Sequence, residues 1–597
     1  MRPRSQRTIL VLTIVSAFGL CASFAAQAVK PGKATPVADT LILPGKIGTP
    51  GGRLVASLRA EPKTLNPATA LDLPSKEVIA LLSADLIHIN VYTQRTEPAL
   101  AKSWTVSSDG RAYTLELRRG ISFSDGHPFD ADDVVFSFQV YLDEKVHSPQ
   151  RDLLQVGGKP IQVRKLGPYR VLFELPQPYA AAERLFDSVT ILPRHLLEQA
   201  YKKGALAQAW NLLAAPGEIA GLGPFRLKHY TPGQLLILER NPFYWKSDTA
   251  GNRLPYLDEL VFLTIPSADA EVIRFQAGDI DVIDNVNAEN YSVLERDQPT
   301  RHYQMYDLGP GLEYNFLFFN VNDVGTKQIP EISRKQQWFR RDEFRHAVSL
   351  AIDRDALLRL VYQGRAAALW SQVTPGNKLW IDAALPHPSR SLERAEGLLR
   401  SAGFSRGKDG TLMDAHGDPV EFSILTNPSN IQRTKMATLI QSDLGRLGMQ
   451  VHVVPMEFQS LMTRVFDSFD YEACVLALQS GDADPNPEIN TWTSGGGMHV
   501  WALTENRPAT PWQADLDRLM QQQTAILDYR KRKQAYDRVQ EILSEHEPVI
   551  FLVSPNVLAG AKDSIEGIKP AVLRRHLLWN AEQLFLKRQD ASAGVKK

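Results

Sequence analysis

Hydrophobic and polar positions along the chain fall into two kinds of run. RLVASL from Arg53 alternates as a half-buried strand does, and EPKTLNP ends it. AYTLELRRGISFSDGHPF, from Ala112, predicts two short strands around an Asp-Gly turn. QVRKLGPYRVLFEL and GPFRLKHYTPGQLLILERN predict two further strand pairs, set apart by Gly-Pro breaks. Other stretches carry the helical period. In DADDVVFSFQVYL, Asp130 is placed to cap a helix whose first turn holds Asp132 and Asp133, the sign that suits the helix dipole. From Phe344 to Gly364 the apolar residues Phe344, Val348, Ala351, Leu358 and Val361 share one face, predicting one helix closed by Gly364. RTKMATLIQSDLGRLGMQVHVVPM reads as a helix, a stop at Gly448 and an alternating strand. DYRKRKQAYDRVQEILSEHEPVIFLV repeats that plan with a break at Pro548. No solenoid or propeller period is present. The mixture predicts an α/β protein of more than one lobe.

The chain of 597 residues is too long for a single hydrophobic core. Lys+Arg and Asp+Glu both number 67, and this balance argues against a nucleic-acid binder, which carries a basic face. The N-terminus has the pattern of an export signal. Arg2, Arg4 and Arg7 precede the apolar run ILVLTIVSAFGLCASFAA, and AQA at 26–28 fits a cleavage site. Residues 29–50 are rich in Pro, Gly and Lys and predict a flexible tether. Cys21 lies within the signal, and the FGL before it does not fit a lipid-attachment site. Cys474, in YEACVLAL, is the other cysteine and predicts a buried strand residue, so no disulfide is expected within the exported chain.

The densest candidate chemistry is LALQSGDADPNPEINTWTSGGG, 476–497, which gathers Asp482, Asp484 and Glu488 beside Pro485, Pro487 and Trp492. Asp482, Asp484 and Asn486 match positions 1, 3 and 5 of a calcium loop, but Pro487 stands where that loop needs glycine and Thr493 where it needs glutamate. No closely spaced histidine pair, nucleophile elbow, phosphate loop or dinucleotide fingerprint is present. The remaining readings are a solvated acidic loop or a clamp for positive charge. A carboxylate and an ammonium at ~4 Å attract by about 4 kcal/mol at an effective dielectric near 20, before desolvation is counted. A loop stiffened by two prolines loses little entropy on binding, and Trp492 could wall a side-chain pocket.

Several segments, in order, resemble the family 5 extracellular solute-binding proteins, the peptide-binding receptors of ABC importers. They are PALAKSWTVSSDGRAYTLELRRGISFSDGHPFDADDVVFSF (98–138), GLGPFRLKHYTPGQLLILERNPFYW (221–245), FQAGDIDVID (275–284), FRHAVSLAIDRDALLRLVYQG (344–364), RAEGLLRSAGF (394–404) and ATLIQSDLGRLGMQVHV (437–453). Within them Trp104, Phe123, Gly126, Asn241 and Tyr244 read as scaffold. The resemblance implies a two-lobed periplasmic binding protein fold of the class II type: lobe I at 51–312 with an inserted subdomain at 88–212, lobe II at 313–547, and a return to lobe I at 548–590. It implies capture without catalysis, no cofactor, export to the periplasm, a monomer, and delivery to an inner-membrane ABC permease. SGDADP matches the turn whose acid holds a peptide's α-ammonium in such receptors, so Asp482 is the first choice for that role and Asp484 the second. Arg433, at a predicted helix start, is a candidate for a ligand carboxylate. Glu61 in the AEPKTLNP loop, and Tyr314 and Asn315 at the first crossing, complete the expected site. NPEINTWTSGGG departs from the peptide-binding pattern, which keeps open a receptor for a nickel complex, an oligosaccharide or an opine. A secreted hydrolase or chaperone is the more distant alternative.

Overall fold

The computed structural model describes residues 39–187, 189–325 and 329–587. The export signal and residues 29–38 of the expected tether lie outside them. Among the described residues no helix is long and apolar enough to cross a membrane.

Two sets of buried side chains divide the molecule. One draws on residues before 306 and after 557: a large cluster from Leu54 to Phe262 and Val282 with Ala559 to Phe585, and a smaller one from Ile265 to Met305 with Leu558. The other two clusters draw only on residues from Tyr314 to Val553. The chain therefore forms two lobes, each closing its own core.

Lobe I holds two four-stranded sheets. In one, Arg53–Leu58 lies parallel to Glu259–Thr264, which runs antiparallel to Leu235–Arg240, itself paired with Phe225–Thr231. The other is antiparallel: Ala101–Val106, Ala112–Leu117, Arg170–Glu174 and Gln162–Gly167. The helix Ala131–Leu142 packs on the second sheet. Asp130 accepts from Asp132 N and the Asp133 carboxylate accepts from Asp130 N, forming the expected cap. Both sheets contribute to one core, so the segment 88–212 is joined to the rest of lobe I through packed side chains.

An eight-stranded sheet runs through lobe II into lobe I. Its longest strand, Val549–Lys562, pairs with Glu313–Phe319 through residues 549–553 and with Tyr303–Pro310 through residues 556–562. The chain crosses between lobes twice, once near 311–312 and once near 554–555, and the crossings lie side by side. Residues 549–553 remain in the lobe II cores, so the return to lobe I comes several residues later than Pro548 suggests.

Three local expectations change. The helix expected over 344–364 is two, Asp342–Ala351 and Arg354–Tyr362, because the Asp353 side chain accepts from Ala356 N and starts a new cap. Residues 39–50 do not behave as a tether. Leu41–Leu43 adds a parallel strand to Lys246–Asp248, and Gly48 sits against the rings of Tyr256 and Phe585. The second strand expected in 112–129 reduces to a single bridge between Ser122 and Pro128. Cys474 is buried in the strand Ala473–Gln479, as its surroundings predict.

The loop at 374–377 rests directly on the first crossing. Thr374 Oγ1 donates to Gly311 O at 2.5 Å, and a Cβ on Gly376 would stand 2.2 Å from Pro310 O. Gly376→Ala should therefore cost about 1–3 kcal/mol through overpacking and lower the melting temperature in calorimetry. Gly167→Ala, facing open space, should leave it unchanged.

Candidate functional site

The strand Ala473–Gln479 delivers the chain to the seam between the lobes, where the acidic run folds back on itself. Ser480 Oγ donates to Asp482 O at 2.6 Å, Ala483 N to Asp482 Oδ1 at 2.6 Å, and Asn486 N to Asp484 Oδ1 at 3.0 Å. Asn377 Nδ2 ties the turn to the hinge loop through Ala483 O at 2.8 Å. Two short helices follow, Asn486–Glu488 and Ile489–Trp492.

The two acids have different partners. Asp484 accepts a two-pronged bond from Arg532 of the helix Tyr529–His546, at 2.8 and 2.6 Å, and these side chains are 4% and 5% exposed. Arg532 also donates to Gln523 O at 3.0 Å and lies over the Trp380 ring at 4.8 Å. A guanidinium this dry is held only because its fork is filled. Asp482, 19% exposed, instead pairs with Arg184 of lobe I, itself 13% exposed. Arg184 donates to Gln94 O at 2.7 Å, and its Nε stands 3.4 Å from Asp484 Oδ2. Burial pushes the Asp482 carboxyl pKa up, and the facing guanidinium opposes that shift.

Further bonds cross the same seam. Gln94 is fully buried and has φ of 62°; its Nε2 donates to Gly376 O at 2.7 Å and its Oε1 accepts from Lys378 N at 3.0 Å. Ala180 N donates to Thr524 O at 2.6 Å. The lobes are closed on one another.

Between them lies a cavity of ≈ 1070 Å³. Lobe I supplies Asp85, His88, Arg184, Asp187, Tyr244, Trp245 and Lys246, the C-terminal segment supplies Arg574, Arg575, Trp579 and Glu582, and lobe II supplies Asp482, Asp484, Asn490 and Thr524. Acids and bases are nearly balanced on this wall. Burial disfavours charge on both Lys246 and Glu582, but their pairing at 3.1 Å outweighs it, raising the lysine's pKa and lowering the carboxyl's.

Of the seven residues expected at the site, Asp482 and Asp484 line this cavity and the other five do not. Trp492 is 1% exposed in a lobe II core, stacked on Tyr314 at 6.3 Å, with its Nε1 donating to Glu488. Asn315 is buried in the crossing strand, donating to Glu313 Oε1 at 3.2 Å. Arg433 opens the helix Ile431–Gly445 and donates to Asn427 Oδ1 at 3.3 Å. Glu61 accepts from Tyr230 OH at 2.7 Å and from Gly233 N, binding its loop to a lobe I hairpin. Tyr244, read as scaffold, is on the cavity wall. Arg184 and Gln94 escaped the sequence reading, for neither sits in a motif and their partners lie hundreds of positions away.

One group on the wall has the composition of a metal site. Ligand atoms of Asp85, His88 and Asp187 lie within 4.8 Å of one another. His88 Nδ1 is 3.1 Å from Asp85 and 3.4 Å from Asp187. Burial acts to discharge the imidazole, but the two carboxylates prevail and push its pKa up to about 10. The imidazole thus holds its proton more strongly between the two carboxylates than a free histidine would.

The family model described as "Bacterial extracellular solute-binding proteins, family 5 Middle" matches residues 95–499. A "Probable ABC transporter-binding protein" of Deinococcus radiodurans is 27% identical over 98% of this chain and 100% of its own. The "Oligopeptide-binding protein AppA" of Bacillus subtilis is 25% identical over 90% of this chain and 92% of its own. Its structure in complex with a nonapeptide aligns with a TM-score of 0.67 at 24% identity, over 91% of this chain and 100% of that one. NikA from Brucella suis, in complex with Fe(III)-EDTA, aligns with a TM-score of 0.73 at 22% identity, over 90% and 100%.

Two predictions follow from the buried charges. Arg532→Ala leaves Asp484 buried without its fork and should destabilise the protein by about 3–5 kcal/mol in urea denaturation; Arg184→Ala should cost less, because Asp482 regains water where the lobes part. Glu488, which accepts from Trp492 and from Tyr536 OH, has its pKa raised by burial to about 7. A carboxyl raised in the folded state favours folding most fully below its unfolded pKa of 4.5, and that support is lost as pH rises through 7. Replacing Glu488 by Gln should flatten the fall in stability between pH 5 and 8 by on the order of 1–3 kcal/mol.

Proposed function

The chain belongs to the bacterial extracellular solute-binding proteins of family 5, and from that premise we propose that it captures short peptides between its two closing lobes and hands them to an ABC permease. The observation that carries this reading is the ≈ 1070 Å³ cavity whose wall is assembled from both lobes. A solute held there touches both sides, which is the condition for ligand to favour the closed state; binding to one lobe alone would shift nothing. The side-by-side crossings near 311 and 555 give the hinge.

Peptide as the solute is supported by the relatives named for oligopeptides and dipeptides. A peptide can add to the seam as an extended strand, its backbone bonds giving affinity with little demand on side chains. Asp482 and Asp484 face that space from lobe II. The reading includes secretion through the N-terminal signal, action as a monomer, and binding without chemical conversion of the solute. Lobe I is assigned to residues 39–312 with 554–587, and lobe II to 313–553.

The test is the small molecule that accompanies the protein purified from the periplasm, released by denaturation and identified by mass spectrometry. A ladder of short peptides is expected, with calorimetry returning micromolar or tighter binding of a representative member to the stripped protein. A single non-peptide compound that rebinds would replace the peptide reading and keep the receptor.

A further inference from the structure

We propose that Arg184 is a built-in occupant of the cation seat at Asp482, so that this receptor reads its ligand without an ammonium bound there. The inference rests on the receptor reading above and goes beyond it by specifying what the solute lacks at that end.

The argument is one of charge and saturation. The acidic turn presents two carboxylates to the cavity, and on charge alone they would draw a ligand's ammonium. Both are already served. Asp484 has the whole fork of Arg532. Asp482 has the Arg184 guanidinium and its own turn amide, Ala483 N. Two acids meet two guanidinium groups, and no net negative charge remains at the turn.

Arg184 is also held from behind. Gln94 O accepts from its Nη2 at 2.7 Å, and the Gln94 side chain is fixed to lobe II at Gly376 and Lys378. The guanidinium is 13% exposed. An incoming ammonium would have to displace a largely buried guanidinium from the Asp482 carboxylate, a cost of the same kind as breaking a buried ion pair. Because Arg184 belongs to lobe I and Asp482 to lobe II, their bond forms only on closure. It thereby adds to the stability of the closed state and takes the part that a ligand ammonium would otherwise play. The solute that fits places a neutral or anionic group at this end, and a peptide's free amine, where it has one, is not read by Asp482.

Arg184→Ala removes the occupant and bares Asp482, while Arg184→Lys keeps a cation there. Calorimetry with trialanine and N-acetyl-trialanine should find the wild type and Arg184→Lys within about threefold between the two peptides. Arg184→Ala should prefer the free amine by tenfold or more. A wild type that already prefers the free amine tenfold, and loses that preference in Asp482→Asn, would overturn the proposal. If neither peptide binds the wild type, the peptide reading fails on its own account, and spin labels on the two lobes decide this one. A short-distance population in the unliganded wild type that disappears in both Arg184→Ala and Asp482→Asn supports it; a population unchanged by either substitution overturns it.

Discussion

Closure of this molecule depends on one strand that serves both lobes. Val549–Lys562 pairs with Glu313–Phe319 in lobe II and then with Tyr303–Pro310 in lobe I. A sheet ladder resists slipping because a one-residue shift turns every side chain to the opposite face. The change of partner near 554–555 is where the ladder is interrupted, and Gly311 lies opposite it, its carbonyl accepting from Thr374 and Ser554. That short stretch is where the strand changes lobes, so it is the place where one core can turn on the other with the registers on both sides kept.

What closes over the hinge is polar. Gln94, Arg184 and Ala180 reach from lobe I to Gly376, Asp482 and Thr524 of lobe II. Bonds of this kind exchange for water at little net cost, each contributing about 0.5–1.5 kcal/mol. They suit a seam that must open and shut far better than an apolar contact of the same area. The arrangement separates two tasks that charges perform here. Arg532 and Asp484 lie wholly within lobe II and shape the turn, whereas Arg184 and Asp482 meet only across the gap.

Much of the fold was legible in the chain. Asp130 announces the helix Ala131–Leu142, Gly448 ends the helix before Gln450–Pro455, and Pro548 separates Tyr529–His546 from the crossing strand, because caps, glycine stops and proline breaks act within a few residues. Where the reading failed locally, a stronger local signal had been passed over: Asp353 caps a second helix inside a continuous apolar stripe. Residues 39–50 look like a linker by composition, yet Leu41–Leu43 finds an edge at Lys246–Asp248, a long-range pairing that composition does not reveal. The acidic turn was visible as a cluster; the partners of its two acids were not. Arg184 stands 298 positions from Asp482, in a four-residue helix with no motif around it. Trp492 was drawn toward the site by its acidic neighbours in sequence and Tyr314 by its place at the first crossing, but large aromatic side chains have more apolar surface to bury in a lobe II core than on a charged wall.

The claim on which the rest stands is that solute is captured by closure of the two lobes. The most direct measurement is small-angle scattering from the protein stripped of its solute, before and after that same solute is added back. Closure predicts a smaller radius of gyration on rebinding, approaching the value calculated for the closed structure. An unchanged radius at full occupancy would contradict capture by closure.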